Sequence, residues 1–236
     1  MDHYVVSVGG QKGGTGKSTV AQGIAVEAAR TGGIVMLADL DLKQATSAEW
    51  AKRRKAAGHQ PSIEARLTAQ RQVWELQALC NLLVIDAPGY ADNSTLELAQ
   101  RSDLLVLTTG TNLIELEPTV LLTRELTAKG IPQEKVAIAL VKVIDREREK
   151  EARAYLKEAK LAALEPALGW YKAIHDIGTD GRAVTESPNR AVAAQGAAFF
   201  GGIAGALERV TQPEKQKRRS VAVAEAARER GGRERG

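Results

Sequence analysis

The sequence predicts an α/β protein in which helices cover both faces of a doubly wound, mostly parallel sheet. Short runs of apolar, often β-branched residues alternate with segments that carry apolar side chains at helical spacing. A strand that is apolar at every position is buried on both faces, and such strands favour a parallel sheet between two layers of helices. The candidate strands are Tyr4–Val8, Ile34–Ala38, Leu82–Ile85, Leu104–Leu107 and Val136–Val141.

Helical spacing and glycine-rich ends define the predicted helices and the domain boundary. One helix covers Thr19–Arg30, and a polar helix through Trp50 ends near Gly58. The final helix of the predicted domain, about Val192–Val210, is rich in alanine and glycine. Residues 1–211 are therefore predicted to form one domain, followed by a basic tail over 212–236 that is helical or disordered.

Composition excludes several classes of protein. The only cysteine, Cys80, cannot form an internal disulfide or contribute to a multi-cysteine metal site, and its apolar surroundings favour a buried thiol. No apolar run approaches the roughly 20 residues of a membrane span, and the first residues do not resemble a secretory signal. The sequence therefore predicts a cytoplasmic protein without a membrane partner.

A glycine-rich loop between the first strand and the first helix predicts a phosphate site. In this setting, glycines let consecutive backbone N–H groups surround phosphate oxygens at the start of a helix. Lys17 is predicted to reach the β and γ phosphates, and the Ser18 hydroxyl is predicted to bind Mg²⁺. The predicted phosphate-binding residues are Gly13, Gly14, Thr15, Gly16, Lys17, Ser18 and Thr19.

The loop departs from the common Walker A spacing, because Gln11 stands five residues before Gly16 and an extra lysine, Lys12, follows it. It matches the pattern K-G-G-x-G-K-(S/T) and so resembles the ParA/MinD family of deviant Walker A ATPases, a class of P-loop NTPase. The resemblance implies ATP as the nucleotide. It also implies a catalytic role for Lys17, and for Lys12 a contact with the nucleotide of the other subunit in an ATP-bound homodimer.

Acidic residues follow two of the predicted strands, where ligands of open α/β sheets bind. The resemblance gives Asp41 the positioning of the attacking water and places Asp39 nearer the Mg²⁺ shell. The alternative is that one or both of these acids cap the next helix. Asp86 ends an apolar strand in a Walker B arrangement and is predicted to hold Mg²⁺, since a buried acid without a partner is costly.

Among the family's branches, the sequence is most similar to small ParA-type partition ATPases that lack an N-terminal helix-turn-helix. A single cysteine argues against the branches that use paired cysteines, and the tail lacks the Leu, Phe and Trp of a membrane-binding helix. The resemblance implies an ATP-bound dimer on the nucleoid that binds DNA without sequence preference, for plasmid or chromosome partition or cargo positioning. It also implies a ParB-like or small adaptor protein that stimulates hydrolysis and release.

Two alternatives remain open: a MinD-like membrane-associated spatial regulator, and a nucleotide-gated binding module with negligible turnover.

Basic residues suited to DNA phosphates lie in the tail and near the last helix, and the run Lys52–Lys55 on the second helix is a further possibility. The tail and last-helix candidates are Arg182, Arg190, Lys215, Lys217, Arg218 and Arg219.

Overall fold

The structure is a computed structural model that describes residues 3–89 and 93–233. Side chains are described throughout these ranges except at positions 93, 175 and 213–233. Seven strands form one sheet in the order β3-β2-β4-β1-β5-β6-β7, and every described pairing is parallel. The strands are β1 Tyr4–Gly9, β2 Val35–Asp39, β3 Glu64–Leu67, β4 Leu82–Asp86, β5 Leu104–Thr109, β6 Val136–Val143 and β7 Leu168–Gly169.

Helices cover both faces of the sheet, which confirms the doubly wound α/β fold. Alternation along β1 shows the two layers: Val6 and Val8 pack into the core on the side of α1 and α8, whereas Val5 packs into the core on the opposite side. The helices are α1 Lys17–Arg30, α2 Thr46–Ala56, α3 Gln70–Val73, α4 Asn93–Arg101, α5 Leu113–Ala128, α6 Arg146–Glu158, α7 Lys172–Gly178 and α8 Arg190–Arg233.

The two edge strands β3 and β7 were not among the predicted strands. Glu64–Leu67 is mostly exposed and contains two charged residues, so it lacks the continuous apolar pattern of a central strand. The other strand, Leu168–Gly169, is only two residues long. Both strands pair with a neighbour on one side only, which explains why their sequences carry so little signal.

The last helix is longer than predicted, because α8 continues from Arg190 through the predicted tail to Arg233. Its segment Arg190–Gln212 is long and apolar enough, by length and composition, to cross a membrane. The prediction that no apolar run approaches the length of a membrane span was therefore wrong. Phe199, Phe200 and Ile203 of this segment are buried in the core that includes α1. A Cβ at Gly23 of α1 would lie 1.9 Å from the Phe200 ring, so close packing of the two helices requires glycine there.

The basic run on α2 does not form one surface cluster. Arg54 is fully buried, whereas its neighbours Lys52, Arg53 and Lys55 are exposed. The Arg54 guanidinium donates to both carboxylate oxygens of Glu186, at 2.6 and 2.9 Å. The expectation that Arg54 is available to an anionic partner was therefore wrong, because the residue joins α2 to the segment before α8.

Candidate nucleotide-binding site

The loop between β1 and α1 is fixed by its glycines and by a contact with β5. Gly14 and Gly16 adopt φ angles of 77° and 79°, a region that side chains other than glycine rarely enter. The Thr15 and Thr108 hydroxyls lie 3.1 Å apart in the buried interior, which ties the loop to the end of β5. Because α1 begins at Lys17, its first backbone N–H groups and the positive end of its dipole lie at this loop.

Lys17 is buried at the loop and faces two acids. Its ammonium donates a hydrogen bond to the Lys12 carbonyl oxygen at 2.9 Å. Burial lowers the pKa of Lys17, and the carboxylates of Asp86 and Asp41 oppose that shift. A polyphosphate bound here would add negative charge and so favour the charged amine further.

Asp86 ends β4 with one carboxylate oxygen satisfied and the other not. The Ser47 hydroxyl donates to Oδ2 at 2.7 Å, whereas Oδ1 is buried and has no hydrogen-bond partner among the described residues. Burial raises the pKa of Asp86 to about 7, and the nearby carboxylate of Asp39 adds to this shift. The shift is opposed by the hydroxyls of Ser47 and Ser18 and by the Lys17 ammonium. A buried oxygen without a partner is costly unless a ligand satisfies it.

These residues fit a magnesium site shared with a nucleotide. Ser18 and Asp86 line the same cavity, and both supply the oxygen ligands that Mg²⁺ prefers. Among the residues whose positions are described, no group of three or more His, Cys, Asp or Glu forms a metal site of its own. Since Mg²⁺ in phosphate sites is held by one or two protein oxygens together with the phosphates, the sparse set present here suits Mg-ATP.

Asp86 makes the stability of the nucleotide-free protein depend on pH. Its pKa is raised from 3.8 to about 7, so between these values the folded state keeps a proton that the unfolded state has lost. The free energy of unfolding should therefore fall as the pH rises through this window, and Asp86→Asn should remove this dependence.

Urea unfolding of both proteins at about pH 5 and about pH 8 measures this effect. Asp145→Asn is the matched control, because Asp145 is an exposed cap that accepts from the Arg148 backbone N–H at the start of α6. A wild-type free energy of unfolding that rises across the window would contradict the raised pKa.

The two acids after β2 have different surroundings. Asp39 is fully buried; its Oδ2 accepts hydrogen bonds from the backbone N–H groups of Ser47 and Ala48 at 2.7 and 3.1 Å, and its Oδ1 accepts one from Asp41. It does not line the cavity. These contacts favour the capping alternative for Asp39 over the predicted place near Mg²⁺, because backbone N–H groups at the start of α2 engage Oδ2 and a backbone N–H group of the preceding loop engages Oδ1.

Asp41, by contrast, is half-buried and lines the cavity. Its Oδ1 accepts hydrogen bonds from the backbone N–H groups of Lys43 and Gln44, at 3.1 and 3.0 Å. These two bonds fix the carboxylate in the loop after β2. Asp41 therefore faces the cavity that contains Lys17 and Asp86.

One cavity of about 330 Å³ brings most of the predicted site together. Three predicted residues do not line it: Asp39, the buried Thr15 and the half-buried Lys12. The predicted residues that line the cavity are Gly13, Gly14, Gly16, Lys17, Ser18, Thr19, Asp41 and Asp86.

The cavity also contains residues that sequence reasoning did not identify. Lys142, at the end of β6, and Trp170, just after β7, line it, and Ser47 reaches Asp86 from α2. No sequence motif marks these positions, because they come next to the loop only when the sheet forms. Gln44 and Thr46 of the β2–α2 segment complete this side of the cavity.

The predicted DNA-binding residues lie apart from this cavity or outside the described side chains. Arg182 is partly exposed and its guanidinium lies 3.5 Å from Asp180, while Arg190 is exposed at the start of α8. The side chains of Lys215, Lys217, Arg218 and Arg219 lie outside the described residues.

Comparison with known proteins gives a family model that matches part of the chain and solved structures that share its fold. Residues 3–79 match the family model described as ATPase MipZ. The fold is similar to the septum site-determining protein MinD of Pyrococcus horikoshii complexed with Mg-ADP, with a TM-score of 0.66 and 18% identity over 88% of this chain and 95% of that one. No curated protein matches the chain in a sequence search.

Two further solved structures share the fold. An ATP complex of McdA from Cyanothece has a TM-score of 0.67 and 12% identity, covering 88% of this chain and 97% of that one. A ParA family ATPase from Chlorobium tepidum has a TM-score of 0.67 and 13% identity, covering 84% of this chain and 98% of that one. At these identities the similarity concerns the fold.

Proposed function

We propose that this chain, a deviant Walker A ATPase of the ParA/MinD family, forms an ATP-sandwich dimer that binds DNA without sequence preference. Hydrolysis stimulated by a ParB-like or small adaptor protein releases the dimer, and the cycle positions a plasmid, a chromosome or another cargo in the cytoplasm, on the nucleoid. The observation that carries the proposal is the convergence of the lysine-bearing loop with Lys17, Asp41 and Asp86 on one cavity.

Each side chain has a separate task in this proposal. The backbone N–H groups of the loop and the Lys17 ammonium bind the β and γ phosphates of ATP. Ser18 and Asp86 hold Mg²⁺, whose charge stabilises the negative charge on the phosphates. Asp41, whose carboxylate is fixed by the Lys43 and Gln44 backbone, orients the attacking water.

The position of Lys12 supports a role in a second subunit. Its carbonyl oxygen accepts the Lys17 ammonium within the loop, but Lys12 does not line the cavity of its own chain. A lysine on this loop that does not line the cavity of its own chain suits a contact with the phosphates of a facing copy, as an arginine finger supplied in trans does.

Exposed apolar residues at the same edge of the sheet also support a dimer. The loops after β2 and β6 carry Leu42 and Ile144, and the first turn of α5, which follows β5, carries Ile114; these residues are 59%, 76% and 70% exposed. These loops follow the carboxyl ends of parallel strands, where the phosphate loop also lies. Covering these side chains with a second copy would remove apolar surface from water and enclose the nucleotides.

Lys12→Ala is expected to leave most of the ATP affinity of the monomer intact and to weaken the ATP-dependent dimer by at least about tenfold, since a charged contact across an interface is lost. Light scattering after size exclusion, with ATP, with ADP and without nucleotide, measures this change. Lys129→Ala is the control, because Lys129 is exposed at the end of α5 and pairs with Glu125. A Lys12→Ala protein that dimerises like the wild type would count against the role in trans.

The DNA-binding step of the proposal uses basic residues outside the cavity. Arg182 and Arg190 are accessible enough to contact phosphates, and the tail carries eight basic residues against four acidic ones. Contacts of this kind are independent of sequence and weaken as salt rises, because bound counterions are released. Dimer formation would double the number of such contacts, so DNA affinity would follow the nucleotide state.

A further inference from the structure

A buried serine on α2 contacts the acid that ends β4 without lining the cavity itself. We infer that Ser47 is a positioning residue for the magnesium site, that it acts through Asp86, and that Gln22 of α1 orients its hydroxyl. The inference rests on the proposed function, because Asp86 holds Mg²⁺ there. Ser47 and Gln22 do not line the cavity, so their role in the site is an indirect one.

The three side chains form a buried series of hydrogen bonds. The Gln22 amide donates to the Ser47 hydroxyl oxygen at 3.3 Å, and this hydroxyl donates to Asp86 Oδ2 at 2.7 Å. Ser47 is fully buried, and Asp86 and Gln22 are 3% and 7% exposed. A hydroxyl has one hydrogen and two lone pairs, so an amide donor on its oxygen leaves the hydrogen for the carboxylate. The series therefore runs in one direction, from Gln22 to Asp86.

The contact gives the two oxygens of Asp86 different surroundings. Oδ2 accepts the Ser47 hydroxyl, whereas Oδ1 is buried and has no hydrogen-bond partner among the described residues. A buried donor on one oxygen restricts rotation of the carboxylate, so Oδ1 is the oxygen left for Mg²⁺ or for a water bound to it. Carboxylates that bind metals are commonly held by hydrogen bonds of this kind, and these bonds orient the ligand.

The position of Ser47 is fixed because α2 is held at both ends. At its start, the backbone N–H groups of Ser47 and Ala48 donate to Asp39 Oδ2 at 2.7 and 3.1 Å. Towards its end, the fully buried Arg54 donates to both carboxylate oxygens of Glu186. The Ser47 hydroxyl therefore stays within reach of Asp86.

A second buried serine distinguishes this role from simple satisfaction of a buried polar group. The Ser102 hydroxyl lies 2.7 Å from the hydroxyl of Ser7, and the two residues are 1% and 0% exposed. Neither of them lines the cavity. Ser102→Ala therefore removes a buried hydroxyl with a hydrogen bond of the same length, but without a connection to Asp86.

The test compares the affinity for Mg-ADP with the affinity for ADP in EDTA by isothermal titration calorimetry, because ADP is not hydrolysed during the titration. Ser47→Ala should lower the gain in affinity that Mg²⁺ confers by about tenfold and leave the affinity in EDTA unchanged. Ser47→Thr, which keeps the hydroxyl, should retain more of this gain than Ser47→Ala. Gln22→Leu should lower the gain by about threefold, since it acts one hydrogen bond further from the carboxylate. Ser102→Ala should change neither affinity.

The gain from Mg²⁺ separates a positioning role from a structural one. A Ser47→Ala protein with the wild-type gain would overturn the inference, and so would an equal loss of affinity with and without Mg²⁺. If Ser47→Ala does not fold, Gln22→Leu decides the question, and an unchanged gain in that variant would overturn the inference. A wild-type protein that binds ADP equally well in Mg²⁺ and in EDTA would contradict the magnesium site and this inference with it. One that binds no nucleotide would overturn the proposed function itself.

Discussion

Lys17→Ala is expected to reduce the affinity for Mg-ATP by at least about a hundredfold, because the phosphates lose the one buried cation of the loop. Lys17 is almost fully buried, and its ammonium donates to the Lys12 carbonyl oxygen. Burial lowers the pKa of this amine, so the fold holds the charged form at a cost that a bound polyphosphate would offset. The alanine variant loses the attraction between this ammonium and the phosphates.

Calorimetry with Mg-ATP measures the change in affinity, and circular dichroism checks that the variant is folded. Folding should be preserved, since removing a charge that is penalised by burial leaves no unpaired cation behind. Lys129→Ala, at an exposed ion pair on α5, should bind ATP like the wild type. Retained ATP affinity in Lys17→Ala would remove this residue from the site and undermine the assignment of the loop as a phosphate cradle.

Asp41→Ala is expected to leave ATP binding intact, to lower turnover by about a hundredfold or more, and to let the ATP-bound dimer accumulate. The Asp41 side chain faces the cavity, and two backbone N–H groups hold its Oδ1. This geometry suits a carboxylate that orients a water, an interaction that matters in the transition state more than in the bound ground state.

Phosphate release measured alongside molar mass distinguishes a loss of chemistry from a loss of binding in this variant. Asp145→Ala is the matched control, because Asp145 accepts a similar backbone hydrogen bond but caps α6 instead of facing the cavity. If Asp41→Ala hydrolyses ATP at the wild-type rate, Asp41 has no part in catalysis. Asp39→Ala should behave differently and destabilise the fold, since Asp39 caps α2.

The central sheet was predictable because its strands are apolar on both faces. β1, β4 and β5 are buried at almost every position and are mostly apolar. Ser7 is the one polar residue inside these runs, and Asp86, Thr108 and Thr109 lie at strand ends. The same argument explains why β3 was not predicted. As an edge strand it is largely exposed, and its glutamate and arginine are as typical of a loop or a helix as of a strand.

The phosphate loop was predictable because its chemistry is contained in one short segment. Asp39 and Asp41 could not be told apart in this way, since both are acids at the end of the same strand. Only the backbone N–H groups of α2, which reach Asp39 and leave Asp41 facing the cavity, separate a cap from a site residue. Lys142 contacts Gly14, 128 residues earlier in the chain, and no local pattern predicts such a contact.

The most direct test of the proposed function is DNA binding by this protein without nucleotide, with Mg-ADP and with Mg-ATP, on unrelated duplexes at two salt concentrations. We expect binding only with Mg-ATP, equal affinity for all duplexes and a marked loss of affinity at the higher salt. Lys17→Ala should not bind DNA under any of these conditions. Absence of binding by the wild type with Mg-ATP would contradict the DNA-bound state and favour a membrane or protein scaffold in its place.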